Sequence, residues 1–208
     1  MAIVKHADQR VGIFIDAANL YHGAKNLFNA RVNFANLLKD ALAGRHLVRA
    51  IAYVITTESG EEKSFFEALE KIGIETKTKD LQIFYGGAKK ADWDVGIAVD
   101  CIKLAPKLDA VVLASGDGDY VPLVDYLKAQ AQVEVLAFGK NTSTKLREIA
   151  DDFIDLGEAP ERYLMGTFRR GSNRAGGKPF RGGRNMRPPK GDIESGPTSA
   201  QESREESI

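Results

Sequence analysis

Two aspartates lie two residues apart in a glycine-rich turn, where their spacing could bring both carboxylates to one point. The turn, Ser115-Gly-Asp117-Gly-Asp119, directly follows a short apolar run. Glycine lets the backbone bend sharply, so Asp117 and Asp119 could face a common ligand. Neighbouring carboxylates repel each other, and a divalent cation is the usual way to relieve that repulsion. A simpler interpretation is that Asp119 caps the next helix and Asp117 caps a turn.

A third carboxylate, Asp16, ends another apolar run, at residues 11–15. In open α/β sheets, ligands bind beyond the carboxyl ends of the strands. If the two strands are neighbours, Asp16, Asp117 and Asp119 converge on one crevice. Taken alone, Asp16 could simply be the N-cap of the helix that follows it. Asn19 lies three residues further on, where its amide could orient Asp16 or a water molecule.

A fourth carboxylate is expected from a helix over residues 92–104, with Asp92 as its N-cap. Asp94 and Asp100 are six residues apart and face different sides of a helix, so both cannot easily reach one metal ion. Asp94 lies in the first turn, nearest the strand ends, and is the preferred ligand. Asp100 is expected either in solvent or in a supporting position behind the ligands. The apolar stripe of this helix is predicted to be Val95, Ala98, Val99 and Ile102.

The elements that must position these acids alternate between strand and helix. Apolar runs predict strands, and apolar residues at helical spacing predict the helices between them. Such alternation specifies a three-layer α/β/α sandwich with a mainly parallel, Rossmann-like sheet. Residues 74–85 could form one parallel strand with a short excursion, or a hairpin. The clearest predicted strands are residues 11–15, 46–55, 109–114 and 133–138.

Composition divides the chain at about residue 160. Residues 1–160 carry 19 Lys/Arg and 23 Asp/Glu, whereas residues 161–208 carry 10 and 6. The second segment is rich in Gly and Arg and poor in large apolar residues, which predicts a disordered tail with an acidic C-terminus. A single cysteine, Cys101, excludes an internal disulfide. No signal peptide or long apolar run is evident, so we expect a soluble, cytoplasmic protein without membrane contact.

Four motifs in a fixed order carry a family resemblance: FIDAANLY, KKADWDVGIAVD, LASGDGDYVPLV and KLREIADDFIDL. Together they resemble the NYN domains of the PIN-like nuclease superfamily, in particular the LabA-like branch, over roughly residues 10–157. The resemblance implies a PIN-like α/β fold, acids clustered around Mg²⁺ or Mn²⁺, and ribonuclease activity. The matching acids are Asp16, Asp94, Asp117 and Asp119, with Asn19 and Ser115 as polar neighbours. In one departure, Lys90-Ala91 stands where the branch usually has Lys-Gly.

The donor types favour Mg²⁺ or Mn²⁺ over zinc, because the acids supply hard oxygen ligands and the three histidines are scattered. The predicted reaction is metal-assisted hydrolysis of RNA phosphodiester bonds. A phosphatase of the haloacid dehalogenase type normally has a second acid, its general acid, two positions after the first. Here that position is Ala18, so the general acid is missing and this class is disfavoured. The remaining alternative is a non-catalytic RNA-binding or regulatory module that keeps the fold.

RNA is the expected partner, and the Arg/Gly tail could attract it through its positive charge. Trp93, Phe84 and Tyr85 could stack on bases, although aromatic residues beside strands are more often core. A homodimer is possible, but no stripe of exposed apolar residues can be recognised that would identify an interface. Lysines that could flank the crevice are Lys25, Lys89, Lys90, Lys140 and Lys145.

Overall fold

A six-stranded sheet forms the centre of the protein in a computed structural model. The structure describes residues 3–56, 63–80 and 92–166, together with the backbone of 82–83 and 89–90. The strand order is β4-β3-β1-β7-β8-β9, and all five pairings are parallel. The strands are β1 (Arg10–Asp16), β2 (Arg31–Val32), β3 (His46–Thr56), β4 (Glu75–Asp80), β5 (Gln82–Ile83), β6 (Lys89–Lys90), β7 (Ala110–Ala114), β8 (Gln132–Ala137), β9 (Asp152–Asp155) and β10 (Leu164–Met165).

Helices cover both faces of the sheet, so the predicted three-layer sandwich is confirmed. One apolar cluster joins the sheet to α1, α2 and α3, and a second joins the opposite face to α4, α5 and α6. Central strands β1 and β7 are buried on both faces, which explains why they are continuous apolar runs. The helices are α1 (Ala17–Phe28), α2 (Phe34–Leu42), α3 (Lys63–Lys71), α4 (Asp94–Leu104), α5 (Val121–Leu127), α6 (Thr144–Ile149) and α7 (Pro160–Tyr163).

The ambiguous stretch after α3 contains one parallel strand followed by an excursion. β4 pairs in parallel with β3, and the short strands β5 and β6 then pair antiparallel with each other. The packed chain also continues past the predicted boundary at residue 160, since Tyr163 and Leu164 are buried. There β10 pairs with β2, and Tyr163 donates a hydrogen bond to Asp40 Oδ2 (2.7 Å). The rest of the predicted tail lies outside the described residues.

Helix α4 differs from the prediction at its N-terminus. It begins at Asp94, and its N-cap residue is Trp93, which makes no capping hydrogen bond through its side chain, so Asp92 is not the N-cap. The Trp93 indole nitrogen instead donates to the backbone oxygen of Val54 (3.0 Å), which anchors the start of the helix on β3. Asp92 contributes its backbone oxygen, which accepts a hydrogen bond from Lys79 (3.1 Å).

Three of the four residues predicted to form the apolar stripe of α4 face outward, whereas the fourth, Ala98, is partly buried against the core. Val95, Val99 and Ile102 are 74%, 41% and 42% exposed, whereas Ile97 and Cys101 are fully buried. The prediction failed because α4 is apolar on two faces, and periodicity alone does not tell which face packs on the sheet. The exposed row of Val95, Val99 and Ile102 was not recognised from the sequence for the same reason.

A buried ion pair ties α2 to strand β8. Arg45 and Glu134 are both inaccessible to solvent, and two hydrogen bonds of 2.5 and 3.1 Å join them. The Arg45 guanidinium also donates to the backbone oxygens of Ala41 and Leu42, which end α2. Lys5 supplies a second positive charge, 2.8 Å from Glu134.

No helix in the described part of the chain is long and apolar enough to cross a membrane.

Candidate acidic site at the carboxyl edge of the sheet

The first acid, Asp16, lies at the carboxyl end of β1, where β7 also ends. Ile15 pairs with Ala114 in register, so Asp16 and Ser115 leave the sheet side by side. The condition set by the sequence, that these two strands are neighbours, is therefore met. Asp16 is only 9% exposed and acts as the N-cap of α1, accepting a hydrogen bond from the backbone N–H of Asn19 (3.0 Å). Its second carboxylate oxygen accepts from the Ser115 hydroxyl (3.2 Å).

Asn19 and Ser115 connect the loops that follow β1 and β7. The side-chain oxygen of Asn19 accepts a hydrogen bond from the backbone N–H of Gly116 (2.9 Å). Ser115 is fully buried and accepts from the backbone N–H of Asp117 (3.3 Å) while donating to Asp16. These contacts fix the backbone around the acids. The side-chain amide of Asn19 bonds the turn at Gly116 and not Asp16, which only the backbone N–H of Asn19 reaches.

The structure bears out one half of the simple capping interpretation of the glycine-rich turn, the cap by Asp117, and contradicts the other half. Asp117 caps the short 3₁₀ turn Gly118–Tyr120 by accepting from the backbone N–H of Asp119 (3.0 Å). Helix α5 follows with no capping bond from a side chain, so the interpretation that Asp119 caps it is wrong. The physical reason is that Asp119 lies inside the turn, where its backbone is the donor and its side chain is exposed to solvent. Asp119 is therefore available at the rim of the site.

Asp94 approaches from the other side, as the first residue of α4. Its Oδ1 accepts a hydrogen bond from the hydroxyl of Tyr120, which is 1% exposed and closes the 3₁₀ turn (2.9 Å). Tyr120 was not among the predicted site residues, although a large polar aromatic residue directly after the acidic turn was a usable signal. Its hydroxyl links the α4 acid to the loop that carries Asp117 and Asp119.

The charges of the four acids act on one another. Burial raises the pKa of Asp16, and the negative charges of Asp94 and Asp117 raise it further, against two hydrogen bonds that lower it. Burial likewise raises the pKa of Asp94, with further increases from the charges of Asp117, Asp92 and Asp119. The pKa of Tyr120 is raised by burial and by the charges of Asp16 and Asp94. The site thus concentrates negative charge, and a bound cation would neutralise that charge and reduce the repulsion between the carboxylates.

Asp100 does not join this cluster. Its Oδ2 accepts hydrogen bonds from the Tyr53 hydroxyl (2.7 Å) and from Lys77 Nζ (2.5 Å). Burial opposes ionisation of Asp100, but the bonds from Lys77 and Tyr53 outweigh it and lower the pKa. Asp100 therefore forms a neutralised pair between α4 and β4, which corrects the suggestion that it supports the acidic site.

The donor chemistry of the site fits a hard divalent cation, since Asp16, Asp94, Asp117 and Asp119 offer only oxygen ligands. As the side chains stand, no three His, Cys, Asp or Glu groups in the described residues are arranged to hold a metal ion. Local hydrogen bonds account for this arrangement. Asn19 and Ser115 hold Asp16, Tyr120 holds Asp94, and Asp117 caps its own turn.

The profile of the NYN domain matches residues 10–157, a range that contains all four acids. The chain belongs to the NYN domain family. NYN domains are nuclease-like, and related nucleases generally use divalent metal ions. The resemblance of the four sequence motifs to NYN domains is therefore confirmed at the level of the family.

Two relatives share most of this NYN domain. The low amplitude and bright protein LabA of Synechococcus elongatus is 27% identical over 159 residues, which are 72% of this chain and 84% of that protein. A crystal structure of VPA0982 from Vibrio parahaemolyticus, a protein of unknown function, superposes with a TM-score of 0.70 at 28% identity. That match covers 78% of this chain and all of the other.

The surroundings of the NYN site contain another close contact that the sequence did not signal. The loop after β8 packs directly on the acidic turn, with the backbone N–H of Ser143 donating to the oxygen of Gly116 (3.0 Å). A Cβ on Gly116 would lie 3.1 Å from the backbone oxygen of Asn141 and 2.8 Å from Thr142 Oγ1. Glycine is therefore required here by close approach of the two loops.

Trp93 is a packing residue rather than an open platform for bases. Its ring meets Tyr53 edge-on, with centroids 5.3 Å apart, and Lys79 lies over it at 5.7 Å. The side chains of Phe84, Tyr85, Lys89 and Lys90 lie outside the described residues. The other predicted flanking lysines, Lys25, Lys140 and Lys145, are exposed.

Proposed function

We propose that this NYN domain is a metal-dependent ribonuclease that hydrolyses RNA phosphodiester bonds. The observation that carries the proposal is the convergence of four carboxylates from three separate segments on one edge of the sheet. Asp16 follows β1, Asp94 begins α4, and Asp117 and Asp119 follow β7. Asp16 and Asp94 have raised pKa values because of burial and because of charges within the cluster. A purely structural role would not require acids to be gathered against that repulsion.

In this proposal, Asp16 and Asp117 bind Mg²⁺ or Mn²⁺ directly, and Asp94 and Asp119 complete the ligand set directly or through water. The bound cation would supply a water of lowered pKa and would stabilise charge on the phosphate. The remaining polar residues position these ligands. Ser115 holds the carboxylate of Asp16, and Tyr120 performs the same task for Asp94, through the hydrogen bonds described above.

Attraction of RNA to this acidic body requires positive charge from elsewhere. Residues 169–190 contain eight Lys/Arg and no acid, and the proposal assigns to this Arg/Gly segment the capture of single-stranded RNA. In this scheme the catalytic domain includes the packed residues up to Leu164, beyond the predicted boundary at 160, and the segment that follows in residues 161–208 captures RNA. Exposed Lys25, Lys140 and Lys145 would contribute on the body itself.

The decisive experiment measures cleavage of labelled RNA with Mg²⁺, with Mn²⁺ and with EDTA, with DNA and a small phosphomonoester assayed in parallel. We expect metal-dependent cleavage of RNA that is lost in Asp16→Asn and in Asp117→Asn. Asp125→Asn is a matched control, because Asp125 is an exposed aspartate on α5 outside the acidic cluster. Both site variants cutting RNA as fast as Asp125→Asn would refute the proposal. RNA binding without cleavage by the wild-type protein would favour the non-catalytic alternative.

A further inference from the structure

Helix α4 has two apolar faces, only one of which is used inside the domain. Ile97 and Cys101 are buried against the sheet, whereas Val95, Val99 and Ile102 are exposed. At 100° per residue, these three outward side chains fall within a sector of about 60°. They form one continuous row along the helix, which we call the outer face of α4.

This outer face is unusual for a helix surface that faces solvent. A surface helix normally has polar residues opposite its buried stripe, and a helix that is apolar all round is normally buried all round. Spacings of four and three residues are also those of a helix–helix seam. A row of β-branched residues with charged neighbours at both ends therefore has the character of an interaction site.

Charge identifies the occupant of this face. Exposed Asp92 precedes the N-terminal end of α4, and exposed Lys103 and Lys107 lie at its C-terminal end. Such a row, with its negative charge at one end and its positive charges at the other, is complementary to itself when two copies run antiparallel. Antiparallel packing also places the opposite ends of the two helix dipoles side by side.

We propose that the outer face of α4 is a homodimer interface, in which two copies pack this helix antiparallel about a twofold axis. The axis passes near Val99, and Val95 of each copy meets Ile102 of the other. Asp92 of each copy then lies near Lys103 and Lys107 of the other. Such an interface is isologous, so every contact occurs twice.

The size of the outer face sets the strength of the dimer. A standard stable interface buries about 800 Å² on each partner, which is more than one face of an eleven-residue helix supplies. We therefore expect a reversible dimer whose population depends on protein concentration. The proposal does not depend on metal binding or on RNA cleavage, because the exposed side chains of Val95, Val99 and Ile102 are not among the proposed metal ligands.

The first test is sedimentation of the full 208-residue chain, freed of nucleic acid, over a wide range of concentration. We expect a monomer–dimer equilibrium, and we expect Val99→Glu to raise the dissociation constant at least about tenfold by burying an unpaired charge. Val48→Glu is a matched control, because Val48 on β3 is 40% exposed, close to the 41% of Val99. A monomer at every concentration, or a dimer that Val99→Glu leaves intact, would overturn the proposal.

The second test uses the self-complementary charges. Asp92→Lys places like charges together at both ends of the interface, and so does the double variant Lys103→Glu/Lys107→Glu. Each variant should raise the dissociation constant of the dimer roughly threefold to tenfold, because exposed ion pairs are individually weak but each occurs twice in this interface. Mixing the two variants restores opposite charges, so a heterodimer at least as tight as the wild-type dimer is expected. A mixture that stays as weak as its components would overturn the antiparallel arrangement.

Discussion

Replacing Asp16 by Asn separates the structural role of this residue from the effect of its charge. An Asn side chain keeps the oxygen that accepts from the N–H of Asn19, and Asn and Asp are equally good N-caps. What disappears is a buried negative charge whose pKa is raised by burial and by Asp94 and Asp117. Without divalent cations, we therefore expect Asp16→Asn to be more stable than the wild-type protein at neutral pH.

The gain arises because folding raises the pKa of Asp16, so its ionised carboxylate destabilises the folded protein at neutral pH, whereas Asn carries no such charge. Loss of the bond donated by the Ser115 hydroxyl offsets part of that gain. The sign with pH follows from the raised pKa of Asp16. The wild-type penalty is fully present above the raised pKa and disappears as the pH falls through it, so the two proteins converge in acid.

Divalent cations should reverse the order of stability. A ligand at a hundred times its dissociation constant stabilises the folded state by about 2.7 kcal/mol, and Asp16→Asn lacks a proposed ligand. Thermal unfolding in EDTA and in Mn²⁺ measures both effects, at roughly 2–4 °C per kcal/mol for a domain of this size. The reasoning is wrong if Asp16→Asn is less stable than wild type in EDTA at neutral pH. It is equally wrong if Mn²⁺ stabilises both proteins to the same extent.

Two further perturbations test other parts of the structure. Tyr120→Phe removes the hydroxyl that donates to Asp94, so the pKa of Asp94 rises. The acid limb of the pH–rate profile for RNA cleavage should then move to higher pH, and an unmoved limb would show that ionisation of Asp94 is not required. Arg45→Met leaves Glu134 buried with only Lys5 as its charged partner and should cost about 3 kcal/mol in denaturant unfolding. Adding Glu134→Gln should recover part of that loss, whereas equal stability of single and double variants would contradict the reasoning.

The sequence was sufficient for the sandwich and for the meeting of Asp16 with the glycine-rich turn. Both depend on apolar runs that end in acids, and parallel neighbouring strands deliver such acids to one edge. It was not sufficient for α4, since a helix with two apolar faces gives no sign of which one meets the sheet. The pairing of Asp100 with Lys77 was equally hidden, because it joins α4 to a strand edge that no local pattern identifies.

The order of strands in the sheet has a consequence for how the protein is made. Asp16 and Ser115 touch across neighbouring strands but are 99 positions apart in the chain. A nascent chain on the ribosome therefore contains β1, and later the helix that begins at Asp94, well before β7 exists. The acidic cluster cannot assemble until translation has passed Asp119 and β7 has docked beside β1. If the domain cuts RNA, the nascent chain has no assembled acidic cluster with which to cut its own message until the codon for Asp119 has been translated.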